Sequence, residues 1–338
     1  MKSFVAGKNE AGQRFDKYLG KLLREAPKSF LYKMLRKKNI TLNGKKATGS
    51  EKLKEGDEIK LFLSDETFQK FCGQSDNSSL HEETEMNDSA YRKKKAREFA
   101  RRIIYEDEDL LFWNKPQGIL SQPDSSDAVS VVWMLQNYLL ESGRYKVEDL
   151  TTFRPGPVNR LDRNTGGIVL CGISLKGLQF LSGTVHDRTL KKIYVCMISG
   201  ELAEGCYKAW LRKDEKSNLV SISPDELSGS RQIITSFKLR AECGKYKLAE
   251  ADLITGRPHQ IRAHLAYLGC SILGDPKYGD PVLNKKIQDQ YGIRYQMLHA
   301  ESITFPELSE DFSYLSGRTF KADLPESFHI LMQDPPAP

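Results

Sequence analysis

The six cysteines (Cys72, Cys171, Cys196, Cys206, Cys243 and Cys270) stand far apart and include no Cys-x-x-Cys pair. That spacing argues against a cysteine zinc site or a disulfide scaffold and fits a reducing compartment. No stretch approaches the roughly 18 apolar residues of a membrane span. The opening MKSFVAGKNEAGQRF lacks the unbroken apolar core of a secretory signal. A soluble, cytoplasmic chain with no membrane partner is therefore expected. Neither a GxGxxG after a strand nor a GxxxxGK loop is present, so no nucleotide cofactor is expected either.

What is present is ordinary in total and uneven in distribution. The chain has 338 residues, 39% hydrophobic and 28% charged, a length that favours two domains. The net charge of +6 hides a surplus of +8 in residues 13–63, where 14 Lys or Arg face 6 Asp or Glu. A small basic module on a near-neutral body suggests a polyanion tether on an enzyme.

Phe15, Tyr18, Leu19, Leu22 and Leu23 recur at helical spacing and predict one buried helix face. A second helix, with Ser29 as its cap, turns Leu31, Met34 and Leu35 inward and Lys33, Arg36, Lys37 and Lys38 toward water. Ile40–Leu42 reads as a strand before an Asn43-Gly44 hairpin turn. Ile59, Leu61 and Leu63 alternate as a closing strand. This basic helix–helix–hairpin pattern over 13–63 resembles the RNA-binding module first known from a small-subunit ribosomal protein (ribosomal-S-four type). The resemblance implies phosphate contacts through Lys33, Arg36, Lys37, Lys38 and Lys45, weakened by salt and blind to base identity.

From Ser64 to Glu98 the apolar periodicity fails, and a mobile linker (64–98) is expected. A larger domain over 99–335 then mixes strands and helices without a regular βαβ repeat. This predicts an α+β fold with a mixed, mainly antiparallel sheet. Ser174 is placed to cap a helix, and Gln232–Ala241 and Tyr246–Thr255 read as strands joined around Gly244.

Two polar clusters carry the chemistry. In VNRLDRNTGG (158–167), Arg160, Asp162 and Arg163 lie within four positions. A carboxylate flanked by guanidinium groups is favoured in its charged form, as a nucleophile requires; a turn residue beside surface ion pairs is the alternative. In TGRPHQIRAHLAYLGCSILGDPKYG (255–279), Pro258 suits the first turn of a helix and Gly269 its end. His259 and His264 are five apart, a poor match to a helical metal pair, so no metal is expected. Arg262 presents a fork suited to a carboxylate or phosphate.

In this order, NKPQGIL, NRLDRNTGG, KKIYVCMISG, TGRPHQIRAHLAYLGCSILGDPKYG and MLHAESITF resemble the RluA-type pseudouridine synthases of large-subunit ribosomal RNA. The resemblance implies that Asp162 is the catalytic aspartate, Tyr194 the tyrosine that stacks on the flipped uracil, and Arg262 the arginine paired with the carboxylate. It also implies substrate contacts from Arg160, His259 and the pocket-lining Leu298. Asn159, Asn164 and Gly166 stand where the family usually has histidine, aspartate and serine, which leaves the loop's RNA contacts open. No cofactor is implied, because isomerising a uridine neither oxidises it nor carries a group away. The expected partner is ribosomal RNA of the large subunit, and nothing demands more than a monomer. A noncatalytic RNA-binding or assembly factor on the same fold is the alternative. A hydrolase based on Asp162 is disfavoured, since no second carboxylate or metal cluster accompanies it.

Overall fold

The computed structural model of the protein describes residues 1–72, 82–123, 129–214 and 219–333. The amino-terminal unit comprises β1 (Lys2–Val5), α1 (Phe15–Leu22), α2 (Lys28–Arg36), β2 (Ile40–Leu42), β3 (Lys45–Lys46) and β4 (Glu58–Leu61). Its antiparallel sheet runs β1-β4-β2-β3. The helical stripes are buried as their spacing predicts: Phe15, Tyr18, Leu19 and Leu22 from α1, and Leu31, Met34 and Leu35 from α2. Asn43 (φ 50°) and Gly44 (φ 71°) are both left-handed, the backbone that a tight hairpin turn requires.

Two local expectations are corrected. Residues 2–5, outside the expected 13–63, supply the edge strand β1. Ser29 does not cap α2, which begins at Lys28 after Pro27 with no side-chain cap; the proline's φ of −59° already suits a helix start.

The expected linker contains two helices, α3 (Asp65–Cys72) and α4 (Glu82–Ala100); its stretch 73–81 lies outside the described residues. α3 lays Phe68 on Phe4 and Phe71 on Phe30, with ring centroids 6.1 and 4.5 Å apart. Near the end of α4, Ala96 and Phe99 are buried. Phe99 stacks on Trp113 at 4.5 Å, and the Trp113 indole N–H donates to the Phe99 carbonyl at 2.9 Å. Two apolar anchors three residues apart therefore dock an otherwise polar helix on a core that already exists, which composition alone does not reveal.

The larger unit continues with β5 (Ile103–Glu106), β6 (Leu110–Lys115), α5 (Val131–Glu141), α6 (Asp149–Thr152), β7 (Gly156–Pro157), β8 (Gly166–Gly172) and α7 (Leu175–His186). β9 (Lys191–Ser199), β10 (Gly205–Asp214), β11 (Leu219–Ser223), β12 (Arg231–Cys243) and β13 (Tyr246–Leu253) follow. The unit closes with α8 (Gln260–Tyr267), β14 (Ser271–Ile272), α9 (Pro281–Tyr291), β15 (Leu298–Thr304), β16 (Thr319–Lys321) and α10 (Glu326–Met332). The sheet order is β11-β10-β12-β13-β9-β15-β8-β6-β5, with β14, β16 and β7 attached to β9, β15 and β8. Among the described strands only β15 and β8 pair in parallel, so the fold is α+β with a mixed, mainly antiparallel sheet.

The sheet is covered on both faces. Alternation along β8 sends Val169 and Cys171 to one apolar cluster and Ile168 and Leu170 to the other. Leu111 and Trp113 of β6 join the first cluster, Leu110 and Phe112 the second. Ser174 caps α7 by accepting the Gly177 N–H, as expected from the sequence.

The two units touch through a small polar patch. Asn9 donates from Nδ2 to Tyr145 Oη at 2.8 Å and accepts the Leu175 N–H at 3.2 Å. Glu10 accepts the Thr152 hydroxyl at 2.6 Å.

Candidate active site

β7 and β8 are joined by the loop that carries Asp162, and most residues of that loop are anchored. Asn159 acts as a backbone clamp: its Oδ1 accepts the Leu170 N–H at 2.8 Å and its Nδ2 donates to the Ile168 carbonyl at 3.1 Å. The Ser121 hydroxyl donates to the Leu161 carbonyl at 2.8 Å and accepts the Leu161 N–H at 3.1 Å. Lys115, fully buried, donates from Nζ to the carbonyls of Pro116, Ile119 and Arg163 at 3.1, 2.8 and 3.0 Å. Burial pushes the Lys115 ammonium down to about 7, against the pull of the Asp162 charge. At the loop's far end Gly167 (φ 110°) lies against β15, where a Cβ would stand 2.2 Å from the Ala300 oxygen. Only glycine fits there.

Asp162 keeps 30% of its side chain exposed, facing a cavity of about 760 Å³. Its guanidinium partner is not a neighbour in the sequence. Arg163 turns its Nε to the Gly118 carbonyl at 3.2 Å, and Arg160 is exposed along the cavity. The partner is Arg262 on α8, whose Nη1 donates to Asp162 Oδ2 at 2.7 Å. The expectation of a carboxylate held between Arg160 and Arg163 is thereby corrected, because the turn directs those two side chains elsewhere.

Arg262 does not spend its fork on Asp162. Nε and Nη2 grip the two oxygens of Asp275 at 2.7 and 2.8 Å. Asp275 is fully buried and its Oδ1 also accepts the N–H groups of Lys277 and Tyr278 at 2.9 and 3.2 Å. Burial opposes the charge on Arg262, but the hydrogen bonds and charges of Asp275 and Asp162 outweigh it and raise its pKa. Sequence reasoning assigned no role to Asp275. The available signal was Asp275 itself, the single aspartate of the segment that holds Arg262, 13 residues further on.

Pro258 precedes the start of α8 instead of occupying its first turn: the residue before Gln260 is His259, in a left-handed conformation at φ 53°. That cap aims the imidazole at the carboxylate, with Nε2 3.8 Å from Asp162 Oδ2. Tyr194, on β9, pairs with Ala300 of β15, and Leu298 pairs with Cys196. Directly opposed residues share a face of the sheet, so the two buried side chains line the same cavity. Burial, reinforced by the Asp162 charge, pushes the Tyr194 phenol up. Asp162, Tyr194, Arg262, Arg160, His259 and Leu298 thus all border one cavity, together with Lys192, Lys213 and Lys277.

Lys33, Arg36, Lys37, Lys38 and Lys45 are all exposed on α2 and the turn and strand beyond it. Among the described residues no helix is long and apolar enough to cross a membrane. Nor do three or more His, Cys, Asp or Glu side chains among them converge as metal ligands would.

Comparison with known proteins adds the family. The RNA pseudouridylate synthase family model matches residues 109–267, and the S4 domain model matches 13–59. A ribosomal large subunit pseudouridine synthase C from Vibrio parahaemolyticus is 31% identical over 308 residues, 89% of this chain and 87% of that one. A ribosomal large subunit pseudouridine synthase D from Borreliella burgdorferi is 32% identical over 69% of this chain and 68% of that one. In fold, human RNA pseudouridylate synthase domain containing 4 superposes with a TM-score of 0.58 at 21% identity, over 74% of this chain and all of that one. With two family models in the expected order and relatives matching nearly end to end, the chain belongs to the RluA-type RNA pseudouridine synthases and carries an S4 domain at its amino terminus.

Proposed function

We propose that this protein isomerises specific uridines to pseudouridine in large-subunit ribosomal RNA, with Asp162 as the catalytic residue. The observation that carries the reading is the Arg262–Asp162 ion pair at 2.7 Å, set in a cavity of about 760 Å³, a volume within the range of small-molecule sites. A uridine leaves its stack to enter, at a cost of a few kcal/mol that is least in loops and single strands. Tyr194 and Leu298 offer the base an aromatic and an aliphatic wall, and Arg160 occupies the space it vacates. His259 reaches the nucleoside from the α8 side.

With Asp162 against the nucleoside, the bond from C1′ to N1 breaks, the base turns, and C5 bonds to C1′. The proton lost from C5 balances the one gained at N1, so no co-reactant is consumed. Tyr194 assists removal of the C5 proton once the ring has turned. Arg262 holds the carboxylate in one orientation throughout, which is the positional advantage a bound arginine confers.

The enzyme acts in the cytoplasm as a monomer, with the module around 13–63 as an RNA tether and 99–335 as the catalytic body. Lys33, Arg36, Lys37, Lys38 and Lys45 contact phosphates and contribute affinity without base choice.

Two measurements test this reading. Asp162→Asn is expected to abolish pseudouridine formation while RNA affinity stays within about threefold, since phosphate contacts dominate binding. Mapping pseudouridines in ribosomal RNA from cells with and without the gene identifies the target. An active Asn variant, or identical maps, would overturn the assignment.

A further inference from the structure

His259 has two ring nitrogens in different settings. Nε2 faces Asp162 Oδ2 at 3.8 Å, too far for a hydrogen bond. Nδ1 lies 2.9 Å from Tyr278 Oη. That same phenol oxygen receives the Val220 N–H at 2.9 Å.

The roles along this chain follow from which groups have a choice. A backbone N–H can only donate, so Val220 occupies a lone pair of the phenol. With one lone pair so engaged, the phenol's own proton is best placed on Nδ1, which accepts it only when unprotonated. A neutral imidazole with a bare Nδ1 carries its proton on Nε2. The surroundings agree on neutrality: burial holds His259 below the ordinary histidine range, Asp162 and Asp275 pull it up, and Arg262 and Lys277 push it further down.

We propose that Tyr278 is a positioning residue that fixes His259 as its Nε2–H tautomer, holding a hydrogen-bond donor beside Asp162 for an oxygen of the bound nucleoside. The donor's place is set by the edge strand β11, which supplies the Val220 N–H. Because β11 pairs with β10, whose Lys213 borders the cavity, the donor is tied to a strand pair at the cavity's rim. Tyr278 keeps a second, separable task, since its ring lies 5.2 Å from the Arg262 guanidinium carbon. Phenylalanine retains that ring and loses only the hydroxyl.

The inference rests on the proposed uridine isomerisation for its purpose, but its test does not require activity. Full-length protein labelled with ¹⁵N-histidine reports each imidazole's tautomer, and His259→Gln identifies the His259 signals. The wild type is expected to show Nε2–H with a bare Nδ1, and Tyr278→Phe a mixture shifted toward Nδ1–H. Single-turnover pseudouridine formation by Tyr278→Phe is expected to fall about tenfold, the worth of one hydrogen bond, with RNA affinity within twofold.

Should the Phe variant fail to fold, Val220→Pro decides the question. It removes the same N–H from an edge strand, where proline is tolerated, and is expected to mix the tautomers in the same way. An unchanged Nε2–H signal in the folded variant would overturn the proposal whatever the activity. An active Asp162→Asn would instead overturn the catalytic assignment and leave the tautomer result standing.

Discussion

Arg262 grips Asp275 with two nitrogens, at 2.7 and 2.8 Å, and this bidentate pair decides where its third nitrogen meets Asp162. The buried aspartate is therefore the anchor and the Asp162 carboxylate the guest. Asp275→Asn keeps the shape but removes the charge that balances Arg262. Breaking a buried pair costs about 3–5 kcal/mol, so a large drop in thermal stability is expected. A loss of at least about a hundredfold in single-turnover rate should accompany it, since a misplaced catalytic group costs that much. Arg262→Lys is expected to be similarly impaired, because an ammonium cannot serve both aspartates in this geometry. Near-normal turnover in either variant would show that the anchoring is dispensable.

Gly167 lies where β8 runs parallel to β15, in contact with Ala300. Gly167→Ala places a methyl 2.2 Å from the Ala300 oxygen at a φ of 110°. Destabilisation by more than about 3 kcal/mol is expected in denaturant titration, from strain and strand separation together. An unperturbed midpoint would mean that β15 shifts freely, contrary to its buried pairing.

Two buried histidines make the fold acid-sensitive. Burial pushes His264 and His299 down to about 4, below the unfolded value near 6.5. Between those values the unfolded chain binds protons that the folded chain does not, so stability is lost as pH falls from 6.5 to 4. The expected slope is about 1.4 kcal/mol per pH unit for each histidine. Unfolding free energies of wild type and His264→Gln across this window check it: the variant's slope should be shallower by one proton. Equal slopes would mean that His264 titrates alike in both states.

The basic module predicts a salt signature. Changing Lys33, Arg36 and Lys37 together to Gln should flatten the log–log salt dependence of RNA binding by roughly 2–3, at about 0.7–0.9 per phosphate contact. Filter binding across a salt series measures the slope. Single-turnover rate at saturating RNA is expected to change little, as these residues stand apart from the cavity. An unaltered slope would remove α2 from the RNA-binding surface.

Much of this architecture is legible from local pattern. The Phe15 and Leu31 stripes, the Asn43-Gly44 turn and the Ser174 cap each depend on residues a few positions apart, so spacing and backbone preference suffice to read them. α4 escapes that reading because Phe99 acts through Trp113, which another part of the chain supplies. The site divides in the same way. Loop and helix motifs mark Asp162 and Arg262 as chemistry-bearing, but they suggest sequence neighbours, Arg160 and Arg163, as the carboxylate's partners. The family resemblance names Arg262 instead, and the structure brings it onto Asp162 from 100 residues downstream.

By itself the amino-acid order determined most of the helices and strands, where charge collects, and which side chains are equipped for chemistry; these follow from short-range sterics and apolar periodicity. Tertiary structure alone decided that Asp275 anchors Arg262 and that Tyr278 and Val220 meet His259. The Asp162–Arg262–Asp275 chain and the Val220–Tyr278–His259 chain join residues from one strand, separate loops and a helix. Hydrogen-bond geometry becomes defined only once packing has brought such groups within 3 Å.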